Sequence, residues 1–275
     1  MNWIASNLKN ALDIWNSFLE TVWRILFMSP QDFNGGTVYN AIVDVHDAVK
    51  AIALGLLVLF FLMGVVKTAG SFTEIKKPEH ALKLFIRFAI AKGVITYGLE
   101  LLLALYTIGQ GVMQKVFDAT GASLTGAILP QEVIDACSNA GFWASIGLWA
   151  VTLIGSLVVL VLGFVVIMSV YGRFFRLFLY IGIAPIPLST FAGEPTQNIG
   201  KSFIKSFAAV CLEGAIIAIA CVIYSLMASS VPPVDPTASA SGVVWWYLVQ
   251  MILNMLILVG IVKGANRVVR EMMGL

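Results

Sequence analysis

Apolar side chains recur at three- and four-residue intervals at the start of the chain, at Trp3, Ile4, Leu8, Leu12, Trp15, Leu19, Val22, Trp23 and Leu26. Asn2, Ser6, Lys9, Asn10, Asp13, Ser17, Glu20 and Arg24 take the opposite side. That spacing predicts one amphipathic helix over residues 3–27. Its tryptophans suit two settings equally, the interface plane of a membrane or a groove of protein. A signal peptide would need a basic start and an unbroken apolar core, and neither is present. After a turn at residues 30–36 the pattern changes, and five blocks follow that are apolar all round: 49–66, 84–106, 147–171, 207–228 and 243–262. Each is close to the ~20 residues a helix needs to cross the hydrocarbon core. The expectation is an all-α polytopic membrane protein of five transmembrane helices, residues 49–275, behind an amphipathic N-terminal region, residues 1–48.

Three stretches depart from this pattern. Block 84–106 holds Arg87, Lys92 and Glu100. Residues 107–142 are mixed, with Pro130 and several glycines, too polar to cross, and form a structured loop lying on a membrane face. Residues 177–191 are apolar but would span only ~22 Å as a helix. Pro185 and Pro187 remove two backbone donors there and disfavour helix just before them. The segment therefore reads as a re-entrant or interfacial hairpin within residues 172–206. Irregular backbone survives at membrane depth only under protein or water, so the hairpin is expected to be buried in an assembly.

Composition supports the membrane reading: of 275 residues, 59% are hydrophobic and 12% charged, and mean hydropathy is +0.92. Twelve of the 17 lysines and arginines fall in segments 67–87, 171–205 and 263–275. The positive-inside rule puts these segments in the cytoplasm, the N-terminus outside and the C-terminus inside. Cys137, Cys211 and Cys221 form no disulfide framework and suit small buried hydrophobes. The chain carries no P-loop, Gly-x-Ser-x-Gly elbow or His-Glu-x-x-His helix, and is not read as an enzyme. No metal or cofactor is expected beyond bound phospholipid.

Some residues invite a functional reading. Gly147, Gly155 and Gly163 share one row of the third span, where small residues let helices approach. The row suits a subunit or hairpin contact, or the ordinary glycine content of membrane helices. Gly182 and Gly193 would let the hairpin turn at an oligomer interface. Lys92 and Glu213 sit at similar depth in two spans and are read as an intramembrane pair, with snorkelling of Lys92 or a wet lumen as the alternatives. Arg173, Arg176, Lys201 and Lys205 cluster around the hairpin as a cytoplasmic basic rim. Membrane orientation accounts for most of these charges, and anionic lipid, an acidic partner or a nucleic-acid backbone could add to it.

The run Arg173-Phe-Phe-Arg176-Leu-Phe-Leu-Tyr-Ile-Gly-Ile-Ala-Pro-Ile-Pro-Leu-Ser, followed by Gly193-Glu194 and Gly200-Lys201-Ser202-Phe203, resembles the central region of the TrbL-like family. These are polytopic inner-membrane subunits of conjugative type IV secretion systems, which are carried by mobile genetic elements. The resemblance implies a homo-oligomeric ring, five-fold, that helps single-stranded DNA with its bound relaxase across the cytoplasmic membrane. It also implies partners among the other secretion subunits, including cytoplasmic ATPases that supply the energy. The readings from other classes are a small-solute transporter or channel and a pore-less membrane scaffold. A transporter would carry broken helices in paired halves.

Overall fold

The structure, a computed structural model, describes residues 3–69, 78–120, 126–139, 141–229 and 239–275. All regular structure among them is helical: α1 (Trp3–Phe27), α2 (Thr37–Ala69), α3 (Pro78–Thr96), α4 (Gly98–Thr120), α5 (Gln131–Asn139), α6 (Phe142–Ile183), α7 (Pro185–Ser189), α8 (Gln197–Ser229) and α9 (Ala240–Met272). Single 3₁₀ turns stand at Phe33–Gly36 and Thr190–Ala192. The long helices follow the apolar blocks, which satisfy every backbone group within the segment. Four helices are long and apolar enough to cross a membrane, in α2, α6, α8 and α9. The pair formed by α3 and α4 makes a fifth candidate, bent by 69°. Lys76, Lys77 and most of the proline-stiffened loop at 231–242 lie outside the described residues.

Three expectations change here. The block at 84–106 is not one straight helix, because α3 ends at Thr96 and α4 starts at Gly98. The loop expected from residue 107 is helical as far as Thr120 in α4 and again in α5. The segment from Arg173 to Ile183 is not part of a hairpin but continues α6, which runs for 42 residues. The interruption falls at Ala184, the residue before Pro185, where the proline takes the first position of α7.

The residues cluster into two compact units. The first comprises Met1–Phe27, Met113–Gly172 and Gly214–Ala265. Here α1 is packed in protein rather than laid along a bilayer: Ile4, Leu8, Trp15, Val22 and Leu26 are all fully buried. Trp15 tilts against Tyr224, Phe18 meets Phe164 edge-on, and Trp23 meets Phe117 edge-on. Asn16 binds the backbone of Ala127 twice, its Nδ2 donating to the carbonyl at 3.1 Å and its Oδ1 accepting from the amide at 3.0 Å. The glycine at 126 makes this possible, since a Cβ there would lie 2.3 Å from Asn16 Cγ. Tyr247 of α9 donates to the Ile128 carbonyl, so the extended stretch at 126–128 is pinned from both sides.

The second unit comprises Met28–Val112, Arg173–Glu213 and Asn266–Leu275. Its core joins Ala53 and Leu57 of α2, Ala91 and Ile95 of α3, Leu102 and Tyr106 of α4, Leu177 and Ile181 of α6, Leu188 of α7, and Phe203 and Phe207 of α8. The two interrupted helices, α3/α4 and α6/α7, both pack into this core.

Candidate functional site

The site is a single stripe of α2 and the two helix breaks that rest on it. His46, Lys50, Ala53, Leu57, Phe60 and Gly64 follow one another at three- and four-residue spacing and so share one face. At the first break, Pro185 has no N–H to give the carbonyl of Ile181, four residues earlier. His46, 1% exposed, meets that carbonyl with Nδ1 at 2.7 Å. The ring nitrogen must carry the hydrogen, because a carbonyl only accepts. One turn along, Lys50 Nζ donates at 2.9 Å to the Thr96 carbonyl, at the bend between α3 and α4. A cation on the last carbonyls of α3 is also favoured by the helix dipole.

The rest of the stripe receives the chain beyond α7. Ser189 and Thr190 turn their hydroxyls back onto the carbonyls of Ile186 and Pro187. Thr196 donates to the carbonyls of Thr190 and Gly193. Gly193 passes so close to α2 that a Cβ there would lie 2.7 Å from the Phe60 carbonyl oxygen. Gly64 faces it less tightly: a Cβ on that residue would sit 3.5 Å from Gly193 Cα, an ordinary contact distance. Leu188 of α7 fills the inside of the α3/α4 elbow, 2.9 Å from where a Cβ of Gly98 would be. Arg87 of α3 reaches Glu194 at 3.3 Å. The irregular segment is thus covered by its own chain, where the sequence reading had looked to a neighbouring subunit. The difference arises because α2 supplies, through His46, one of the donors that the prolines leave missing.

Two arginines of α6 lie one turn apart and have separate tasks. Arg173 is 1% exposed. Its guanidinium carbon stands 5.8 Å from the Tyr106 ring centre and 5.5 Å from that of Phe174, within cation–π range. Phe33 stacks on Phe174 at 4.8 Å. Arg173 Nη2 donates to the Tyr106 hydroxyl, which in turn donates to the Met28 carbonyl at 2.8 Å. Arg176 Nη2 meets Glu213 Oε1 at 2.5 Å, and Asn266 Nδ2 donates to the other carboxylate oxygen at 3.2 Å. Glu213, 2% exposed, therefore ties α8 to α6 and α9.

These contacts correct two expectations. Glu213 pairs with Arg176 and not with Lys92, which is exposed on α3. Arg173 is no part of a basic rim, because it is enclosed by aromatic rings, and Arg176 is held by its carboxylate. Lys201 and Lys205 are both exposed on α8. Of the glycine row, Gly163 faces Phe18 of α1 and Gly155 faces Leu248 of α9, both in the same chain, while nothing lies within 4 Å of a Cβ at Gly147. Gly182 meets Val45 and Ile42 of α2 at ordinary contact distance. Sequence reading missed His46 and Lys50. The signal was present in an imidazole and an ammonium four residues apart, on the helix facing a Pro-x-Pro segment. Among the described residues no three His, Cys, Asp or Glu side chains gather as metal ligands.

Both breaks have their carbonyls capped from within the chain, and the four or five candidate spans define a multi-pass membrane protein. Residues 16–185, more than half of the chain, match the family described as TrbL/VirB6 plasmid conjugal transfer like protein, and the chain belongs to that family. It is accordingly a membrane component of conjugal transfer. The matched stretch includes His46, Lys50, Arg173 and Arg176 and stops at Pro185, short of Glu213. A comparison with curated proteins gives no match.

Proposed function

We propose that this chain is a subunit of a conjugative type IV secretion channel in the cytoplasmic membrane. In this reading it assembles as a homo-oligomeric, five-fold ring and helps carry single-stranded DNA with its bound relaxase. The observation that carries the proposal is the family match over residues 16–185. The ring works with other secretion subunits, and cytoplasmic ATPases supply the energy. Twelve of 17 basic residues on one side of the spans support an N-terminus outside and a C-terminus inside. The exposed Lys201 and Lys205 then face cytoplasmic partners or outgoing substrate, while the buried Arg173 and the clamped Arg176 act within the fold.

The test is deletion of the gene followed by a mating assay. Transfer is expected to fall below detection and to return on complementation; unaffected transfer refutes the proposal. Native mass spectrometry in mild detergent reads the ring. For orientation, a cysteine replacing the exposed Asp135 of α5 is expected to react with an impermeant thiol reagent added outside intact cells, and one replacing Lys201 is not.

A further inference from the structure

Helix α1 and the first half of α6 lie side by side in matched register. Trp3 meets Trp149 with ring centres 5.6 Å apart, and Phe18 meets Phe164 at 6.0 Å. Both pairs are offset by 146 residues, so the two helices run parallel over 15 residue steps, or ~22 Å. This part of α6 belongs to the charge-free block 147–171 of a candidate span. A hydrocarbon core takes ~20 residues, and any such window within that block contains residues 152–166. The same offset puts residues 6–20 of α1 at core depth, with Asp13 level with Val159 at the midpoint of the block.

At that depth α1 is not apolar all round. Its apolar side, with Leu8, Leu12 and Trp15, is buried in protein. Asp13, Ser17 and Glu20 follow at four- and three-residue steps, share the other face and are exposed. With Asn16 they line a cavity of about 480 Å³, whose wall also includes Gly126 and, from the candidate span α8, Cys221 and Ser225. Neither carboxylate forms an ion pair with a described residue. An ionisable group at hydrocarbon depth ordinarily meets a partner or water, and the cavity has room for several waters at ~30 Å³ each. We propose that this cavity is water-filled at membrane depth, with the polar stripe of α1 as its wall and small hydrated cations as its solutes. Two carboxylates attract such cations and repel a phosphodiester backbone, so this wall is not a DNA-binding surface. The cavity is built by one copy of the chain, and the inference stands apart from the ring reading.

Cysteine accessibility in membrane vesicles, with reagent on both sides, tests it. The background is Cys221→Ala, because that thiol already lines the cavity. Asp13→Cys, Ser17→Cys and Glu20→Cys are each expected to react with a trimethylammonium-bearing methanethiosulfonate, a charged probe that stays in water. Val161→Cys, exposed on α6 at the same depth, is expected to stay unlabelled. At Ser17→Cys the cationic probe is expected to react about tenfold faster than its sulfonate-bearing counterpart, and adding Asp13→Asn and Glu20→Gln should bring the two rates to within about threefold. No labelling at any of the three positions, in protein that elutes as the wild type does, overturns the water-filled cavity. Labelling of Val161→Cys as fast as theirs overturns the membrane depth. A rate ratio unchanged by the two neutral substitutions overturns the cation preference.

Discussion

His46 supplies the hydrogen bond that Pro185 cannot. The imidazole of α2 stands 2.7 Å from the Ile181 carbonyl, the group that the residue at 185 would bond in a regular helix. A proline break in the core of a membrane protein is thereby made tolerable by one side chain on a neighbouring helix. His46→Leu is expected to lower stability in detergent by about 1 kcal/mol, because the Ile181 carbonyl then keeps only the long 3.4 Å bond from the Ala184 amide. Adding Pro185→Ala should recover part of that loss, because alanine restores the missing N–H. Thermal unfolding of the single and double variants measures the coupling, and strictly additive losses would show that the two residues act independently.

Glu213 holds three helices, so its removal should be felt in all of them. A fully buried ion pair costs ~3–5 kcal/mol to break. Arg176 is 37% exposed on its side chain, and water reduces the expected loss for Glu213→Ala to about 1–3 kcal/mol. Replacing Arg176 and Glu213 together by leucine should cost less than the sum of the separate changes. Lys92→Ala should add independently to Glu213→Ala; a coupling between those two in denaturation midpoints would restore the pairing that the structure replaces.

The glycine row of α6 separates cleanly by position. Gly163→Val places a Cβ where the Phe18 ring now lies, 2.0 Å away, and should destabilise by about 1–3 kcal/mol through overpacking. Phe18→Ala in the same chain should relieve part of it. Gly147→Val meets nothing within 4 Å and is expected to leave the unfolding temperature unchanged. Equal losses at both positions would show that the row acts through helix flexibility instead.

Burial pushes the Cys137 thiol of α5 up to about 11. At pH 7–8 it is therefore protonated and a poor nucleophile. Maleimide labelling of folded protein in detergent should be negligible there and should rise about tenfold per pH unit toward pH 11, while unfolded protein labels readily at pH 8. Because the folded-state value lies above the unfolded one, the thiol favours the fold below pH 9 and loses that contribution as pH climbs through 11. Rapid labelling of folded protein at neutral pH would contradict the burial.

Hydropathy made most of the helices readable, because an apolar block in lipid has no alternative to bonding its own backbone. It could not show what each helix faces. The apolar side of α1 satisfies a membrane surface and a protein groove alike, and only Trp15 against Tyr224 distinguishes them. The pairing of Lys92 with Glu213 assumed that depth follows residue count along a straight span, and the 69° bend removes that premise. Arg173 looked like surface charge because a sequence cannot display the Tyr106 and Phe174 rings that enclose it. The Pro-x-Pro break itself was legible, since it follows from missing donors; the donor that replaces one of them comes from residue 46, with no local pattern linking the two.

Because His46 and Lys50 are borne by one helix, a movement of that helix acts on both of their contacts. A rotation or one-turn slide of α2 would strip the Ile181 and Thr96 carbonyls in the same movement. The two interruptions are therefore mechanically geared: they are locked together or released together, and whatever pulls on α2 addresses both at once.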